Sequence, residues 1–173
     1  MIVLRLREKL QSYRAVTVLG AFFLVTQTVI AVILNPLGVG TFLKLQLSLS
    51  RDFYVTTFES WKTQGVFNRY LLHFYPDSLF PLFFSLFFFS ALACLLKGEP
   101  DSPRTRFLLV LPLISGFSDY VENAIQFVIL SGRLTDPLVF ASGIASWVKW
   151  SLALISIFWI GVLTLRKAVM ASK

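Results

Sequence analysis

Four long apolar runs divide the chain: Ala15 to Leu34, Ser78 to Leu96, Phe107 to Leu130 and Ser142 to Leu165. Each is close to the ~20 residues with which a helix crosses roughly 30 Å of hydrocarbon. The pattern predicts an all-α integral membrane protein. It would be a four-transmembrane-helix bundle forming a single membrane domain over residues 1–173, with spans at about 15–34, 78–96, 107–130 and 142–165. A long, partly helical outer loop, 35–77, would join the first two spans. The first run is longer than the ~7–15-residue core of a secretory signal and ends in Asn35-Pro36-Leu37-Gly38, so it reads as a retained span. Pro81 and Pro112 fall inside the second and third runs, where proline predicts kinks whose freed carbonyls find partners in the bundle.

Inside the outer loop the period changes twice. Leu43, Leu45, Leu47 and Leu49 alternate with Lys44, Gln46, Ser48 and Ser50, which predicts a strand or extended segment with one wet face. Tyr54, Phe58 and Trp61, and after Gly65 the set Phe67, Tyr70, Leu71 and Phe74, follow helical spacing. Two short amphipathic helices with aromatic faces are expected there, lying on the outer membrane surface or roofing the bundle.

The third run interrupts its own apolar pattern. On a helix, Ser115, Asp119, Glu122, Asn123 and Gln126 fall within a stripe about 100° wide. Each ionisable group at bilayer depth costs roughly 2.5–3.5 kcal/mol on insertion scales, so such a stripe faces the bundle interior or a wet cavity. At 1.5 Å per residue, Gln27, Ser85, Glu122, Asn123 and Lys149 all lie roughly 10–12 Å below the outer ends of their spans, with Asp119 one turn deeper. Four spans thus bring polar side chains to one level. The candidate ligand-binding residues are Gln27, Asp77, Ser85, Asp119, Glu122, Asn123, Gln126 and Lys149. Asp119, Glu122 and Lys149 are the candidates for catalysis, should there be any. Two carboxylates facing one lysine leave a charge over, so either one carboxylate carries a proton or a cation from outside completes the site. The alternative is that these polar groups simply hold helices together. Asp77 reads first as an N-cap of the second span, and Tyr75, Trp147 and Trp159 as interfacial-belt residues.

Composition narrows the classes. Charged residues make up 14% of the chain against about 25% in soluble domains, and 56% of residues are hydrophobic with mean hydropathy +0.74. The net charge of +7 does not point to nucleic acid, because the basic residues sit at the ends of the apolar runs. The N-terminus, loop 97–106 and the C-terminus hold 10 lysines and arginines, against 5 on the other side. The positive-inside rule therefore places both termini in the cytoplasm, in a multi-pass protein for which the plasma membrane is preferred to an internal one. The single cysteine, Cys94, and single histidine, His73, exclude an internal disulfide and any multi-cysteine or histidine-rich metal site. Cys94 reads as packing and His73 as an interfacial residue. No metal and no cofactor are expected. A glycine-rich phosphate loop and a serine-triad signature are both missing.

The run Gly116-x-x-Asp119-Tyr120-x-Glu122-Asn123, with Tyr75-Pro76-Asp77 leading to Pro81 and Ala145-Ser146-x-x-Lys149, resembles a family of small uncharacterised four-span integral membrane proteins. The resemblance covers most of residues 42–166 and implies no activity. It marks Asp77, Asp119, Glu122, Asn123 and Lys149 as positions of interest. Three functions compete. The first is binding, carrying or modifying a lipid-like amphiphile, with the Phe-rich second span as an apolar slot. The second is a non-enzymatic accessory or assembly subunit docking a partner membrane protein. The third is proton- or ion-coupled work, which the apolar stretch Phe107 to Ile114 disfavours as a full path. The expected partners are membrane lipids, an amphiphilic ligand or a partner membrane protein.

Overall fold

The computed structural model describes residues 2–172, and within them the chain is all-helical, with no strand. A short amphipathic helix, α1 (Ile2–Leu10), precedes α2 (Tyr13–Leu34), which starts where the Ser12 hydroxyl accepts the Ala15 N–H. A 3-10 turn over Asn35–Leu37 leads to Gly38, whose φ of 75° lets the chain reverse into α3 (Val39–Leu47). The helices α4 (Arg51–Thr63), α5 (Phe67–Leu72) and α6 (Phe74–Asp77) follow. The chain then continues through α7 (Phe80–Leu95), α8 (Pro103–Leu130) and α9 (Asp136–Ala171).

Three helical segments are long and apolar enough to cross a membrane: Tyr13–Leu37, Pro103–Leu130 and Asp136–Ala171. The predicted second span differs. Its straight part, α7, has 16 residues, only ~24 Å of rise. It reaches spanning length only together with the segment Phe67–Asp77, from which it is bent by 47°. Pro81 causes no kink within α7, because it stands in the first turn, where its missing N–H would have had no helical partner. Pro112 lies inside α8, which remains one helix.

The extended segment expected over Leu43–Ser50 is also corrected. Residues up to Leu47 are helical, and only Ser48 to Ser50 has extended backbone, with ψ of 140° and 120° at its ends. Alternation misled because α3 is not half-solvated. Leu45 is buried against the aromatic roof while Leu43 and Gln46 border a cavity, so apolar residues are accommodated around most of the helix.

The two aromatic helices are present as α4 and α5. Tyr54, Phe58, Trp61 and Tyr70 are buried against Ile30, Leu34 and Leu37, and the Trp61 indole N–H donates to the Leu37 carbonyl at 3.2 Å. They roof one end of the bundle. At the other end Phe89, Leu92, Leu108, Leu109 and Leu163 form a second core. There α1 docks on α7 and α8 through Arg7, which donates to the Leu96 carbonyl at 2.6 Å and the Glu99 carbonyl at 3.1 Å. The Ser90 hydroxyl donates to the Leu10 carbonyl at 2.6 Å. Arg7 thus satisfies carbonyls just past the end of α7, where a cation also complements the helix dipole. Arg7→Met is expected to lower stability by about 1.5–3 kcal/mol, the scale of charge-assisted hydrogen bonds. Backbone exchange protection should be lost first in α1. Unchanged protection there would refute the docking role.

Candidate functional site

The polar stripe of α8 is buried throughout: Ser115, Asp119, Glu122, Asn123 and Gln126 are each less than a tenth exposed. Its main partner is α9. Ser115 and Ser118 donate to the α9 carbonyls of Lys149 and Ala145 at 2.7 and 3.1 Å, which seats the two helices in register. Small residues at Ala145, Ser146 and Ala153 keep that face low, as close helix approach in membranes requires.

In this register the Lys149 ammonium stands between two carboxylates, 3.0 Å from Asp119 Oδ1 and 2.5 Å from Glu122 Oε2. Asp77, at the end of α6, joins from a third element. Its Oδ2 accepts the Asn123 amide at 2.8 Å. The N-cap expectation for Asp77 is corrected: the residue preceding α7 is Leu79, and Asp77 is buried in the bundle. The bend between α6 and α7 turns it inward.

Gln126 serves a different purpose. Its carbonyl accepts the Tyr70 hydroxyl at 2.8 Å, and its amide nitrogen lies 2.7 Å from both the Tyr54 and Ser142 hydroxyl oxygens. With these partners it ties the roof to the bundle. Ser85 also stands apart from the ion cluster: its hydroxyl donates to the Leu82 carbonyl at 3.1 Å, and it packs under Gly116.

A cavity of about 390 Å³ adjoins the cluster. Asp77, Asp119 and Lys149 border it, with Gln27 and Gln46 from the facing helices. Apart from His73, its walls are otherwise apolar, with Phe23 and Ile30 of α2, Phe84 and Phe88 of α7, and Ala153 and Ile157 of α9. α2 packs chiefly on α7, and α9 on α8, while α2 and α9 make no substantial contact with each other. The cavity fills the gap between them. Gln27, Ala31, Trp150 and Ile157 stand exposed along its rim, midway along spanning-length helices, so it opens through the side of the bundle.

No protein-family model, curated protein or solved structure matches this chain.

One residue contributes where the sequence reading placed it elsewhere. His73 is buried, 3% exposed, and borders the cavity beside Asp77. Its Nδ1 contacts the Tyr70 carbonyl, and since a carbonyl only accepts, that nitrogen carries a hydrogen. The spacing was the available signal, because His73 and Asp77 are four residues apart and helical backbone puts such a pair on one side. Tyr54, Tyr70 and Trp150 were likewise legible only as aromatic packing. Trp150 borders the cavity, and the Lys149 ammonium lies 5.4 Å from its ring centroid.

Chemically, the arrangement offers one ammonium, two carboxylates and an imidazole at the head of an apolar slot, with Glu122 paired to the same ammonium off the cavity wall. It can hold a polar head while an apolar body lies between α2 and α9. Among the described residues, no group of three or more His, Cys, Asp or Glu is arranged to hold a metal ion.

Proposed function

We propose that this is a four-span membrane protein that binds, carries or modifies a lipid-like amphiphile at a polar site buried within the bilayer. The bent pair α5–α6 and α7 then counts as one span, both termini face the cytoplasm, and the roof of α3 to α6 faces outward, in the plasma membrane by preference. The observation that carries the reading is the side-opening apolar cavity whose closed end is bordered by Asp77, Asp119 and Lys149. Its volume lies at the small end of the ~300–1,000 Å³ range of small-ligand pockets, which suits a single chain or a compact ring body. If chemistry follows binding, Asp119 and Glu122 are the acid–base candidates and Lys149 the group that would steady a developing anion.

A second reading is supported by Gln126, Ser115 and Ser118, whose hydrogen bonds all run between helices and reach no ligand space. On that reading the protein is an accessory subunit and the polar layer only joins its helices. Native mass spectrometry separates the two, using protein gently solubilised after incubation with a total lipid extract. Wild type should carry a defined adduct, and folded Asp119→Asn/Glu122→Gln/Lys149→Met should not. No adduct on wild type, with the triple variant equally stable, would leave the accessory reading standing.

A further inference from the structure

The bonds at the closed end of the cavity leave an uneven set of free valences. Of the two oxygens of Asp77, Oδ2 is taken by Asn123, and of the two of Asp119, Oδ1 is taken by Lys149. Among the described residues, no hydrogen bond reaches Asp77 Oδ1, Asp119 Oδ2 or the Nε2 of His73. None of these three is sealed away: among the described residues the fully enclosed side-chain atoms without a hydrogen bond are Arg7 Nε, Ser146 Oγ and Glu122 Oε2, the last of them ion-paired with Lys149. All three residues border the cavity. Each of the three atoms is an acceptor when the carboxylates are ionised and the imidazole is neutral.

Donors are scarcer. Lys149 has three N–H groups, and two of them face Asp119 and Glu122. Among the described residues, no other lysine or arginine borders the cavity. The formal charges are equally uneven, with Asp77, Asp119 and Glu122 set against Lys149 alone. An incoming carboxylate or phosphate would meet Asp77 and Asp119 on the cavity wall and compete with Asp119 and Glu122 for one ammonium. An incoming ammonium would meet acceptors on three sides and reduce the imbalance.

Resting on the amphiphile reading above, we propose that the ligand's head is a hydrogen-bond-donating cation, a protonated amine on a single apolar body. Asp77, Asp119 and His73 receive its N–H groups, and the body lies between α2 and α9 against Phe23, Phe84 and Phe88. A neutral alcohol can donate one bond but brings no charge, so it binds less well. An anionic head binds least well.

The test uses the full chain in phosphatidylcholine nanodiscs and three probes with the same chain: dodecylamine, dodecanol and dodecanoate. Native mass spectrometry reads the bound fraction of each as its concentration rises. Wild type should hold the amine about 10- to 100-fold more tightly than dodecanoate, the scale of one or two charge-assisted bonds, with the alcohol between. Asp77→Asn keeps an oxygen for Asn123 and should weaken the amine about tenfold while leaving the alcohol nearly unchanged. Wild-type selectivity decides the matter even if that variant does not fold. Dodecanoate held as well as the amine would overturn the cationic head and leave the amphiphile site intact. The alcohol held as well as the amine would overturn it too. If none of the three binds, the amphiphile reading fails with it.

Discussion

Replacing Lys149 by methionine should destabilise the protein by about 3–5 kcal/mol, because it strands two buried carboxylates that share one partner. Asp119 and Glu122 are 2% and 1% exposed, and their contacts with Lys149 are at 3.0 and 2.5 Å. The loss exceeds that of an ordinary hydrogen bond since the residual charges are buried. The same argument predicts a rescue. Asp119→Asn and Glu122→Gln added to Lys149→Met remove the stranded charges, and neutral replacements of buried ion clusters are often no less stable. Urea unfolding in one detergent would compare wild type, the single and the triple variant. A single variant with the wild-type midpoint would show that the ion pairs carry no weight in the fold. A triple variant as weak as the single would show that shape matters more than charge.

The second large effect is expected at Gly116, the first residue of the third-span motif. A Cβ built there would lie 2.7 Å from Ser85 Cβ and 2.8 Å from the Pro81 carbonyl oxygen. The Pro81 oxygen is backbone and cannot rotate away, so α7 and α8 must separate. Gly116→Ala should therefore cost about 1–3 kcal/mol, the range of overpacked cores, and Gly116→Val more. Because Asp119, Glu122 and Asn123 lie on the same helix within two turns, the separation would also pull Asn123 from Asp77. Ser85→Gly in the Gly116→Ala background removes one of the two clashes and should recover part of the loss. The thermal midpoint in detergent measures both. If Gly116→Ala melts with wild type, the close packing of α7 on α8 is wrong. Gly143 sets a similar limit on α9, where a Cβ would come 2.6 Å from the Ser48 carbonyl oxygen.

The polar stripe of α8 was legible because a 3.6-residue period and the cost of charge in hydrocarbon both point inward, and Asp119, Glu122 and Lys149 do meet. Depth counted along separate spans put polar residues at one level but said nothing about rotation about each axis. Gln27 and Ser85 share that level, yet Gln27 stands exposed at the cavity rim and Ser85 faces Gly116. The bend before α7 was hidden because Asp77 and Pro81 look like an ordinary helix start. That bend carries His73 and Asp77 from the loop into the bundle, which no period in the sequence expresses. The alternation over Leu43–Ser50 failed for a related reason: with bundle on one side and a cavity on another, a helix has no obligatory wet face.

α9 is one unbroken helix of 36 residues, about 54 Å of rise, against a hydrocarbon thickness of roughly 30 Å. Read as a span, it is longer than the apolar layer, and near its C-terminal end Arg166 pairs with Glu99 at 3.1 Å and Lys167 donates to the Cys94 carbonyl at 3.2 Å. The helix is thus a rigid rod whose far end is tethered at the opposite face from the roof. Tension or docking at the C-terminus would travel along its axis without a hinge to absorb it. A slide of one ångström there is a slide of one ångström at Lys149, and a charge held between two carboxylates would register it as a change in grip.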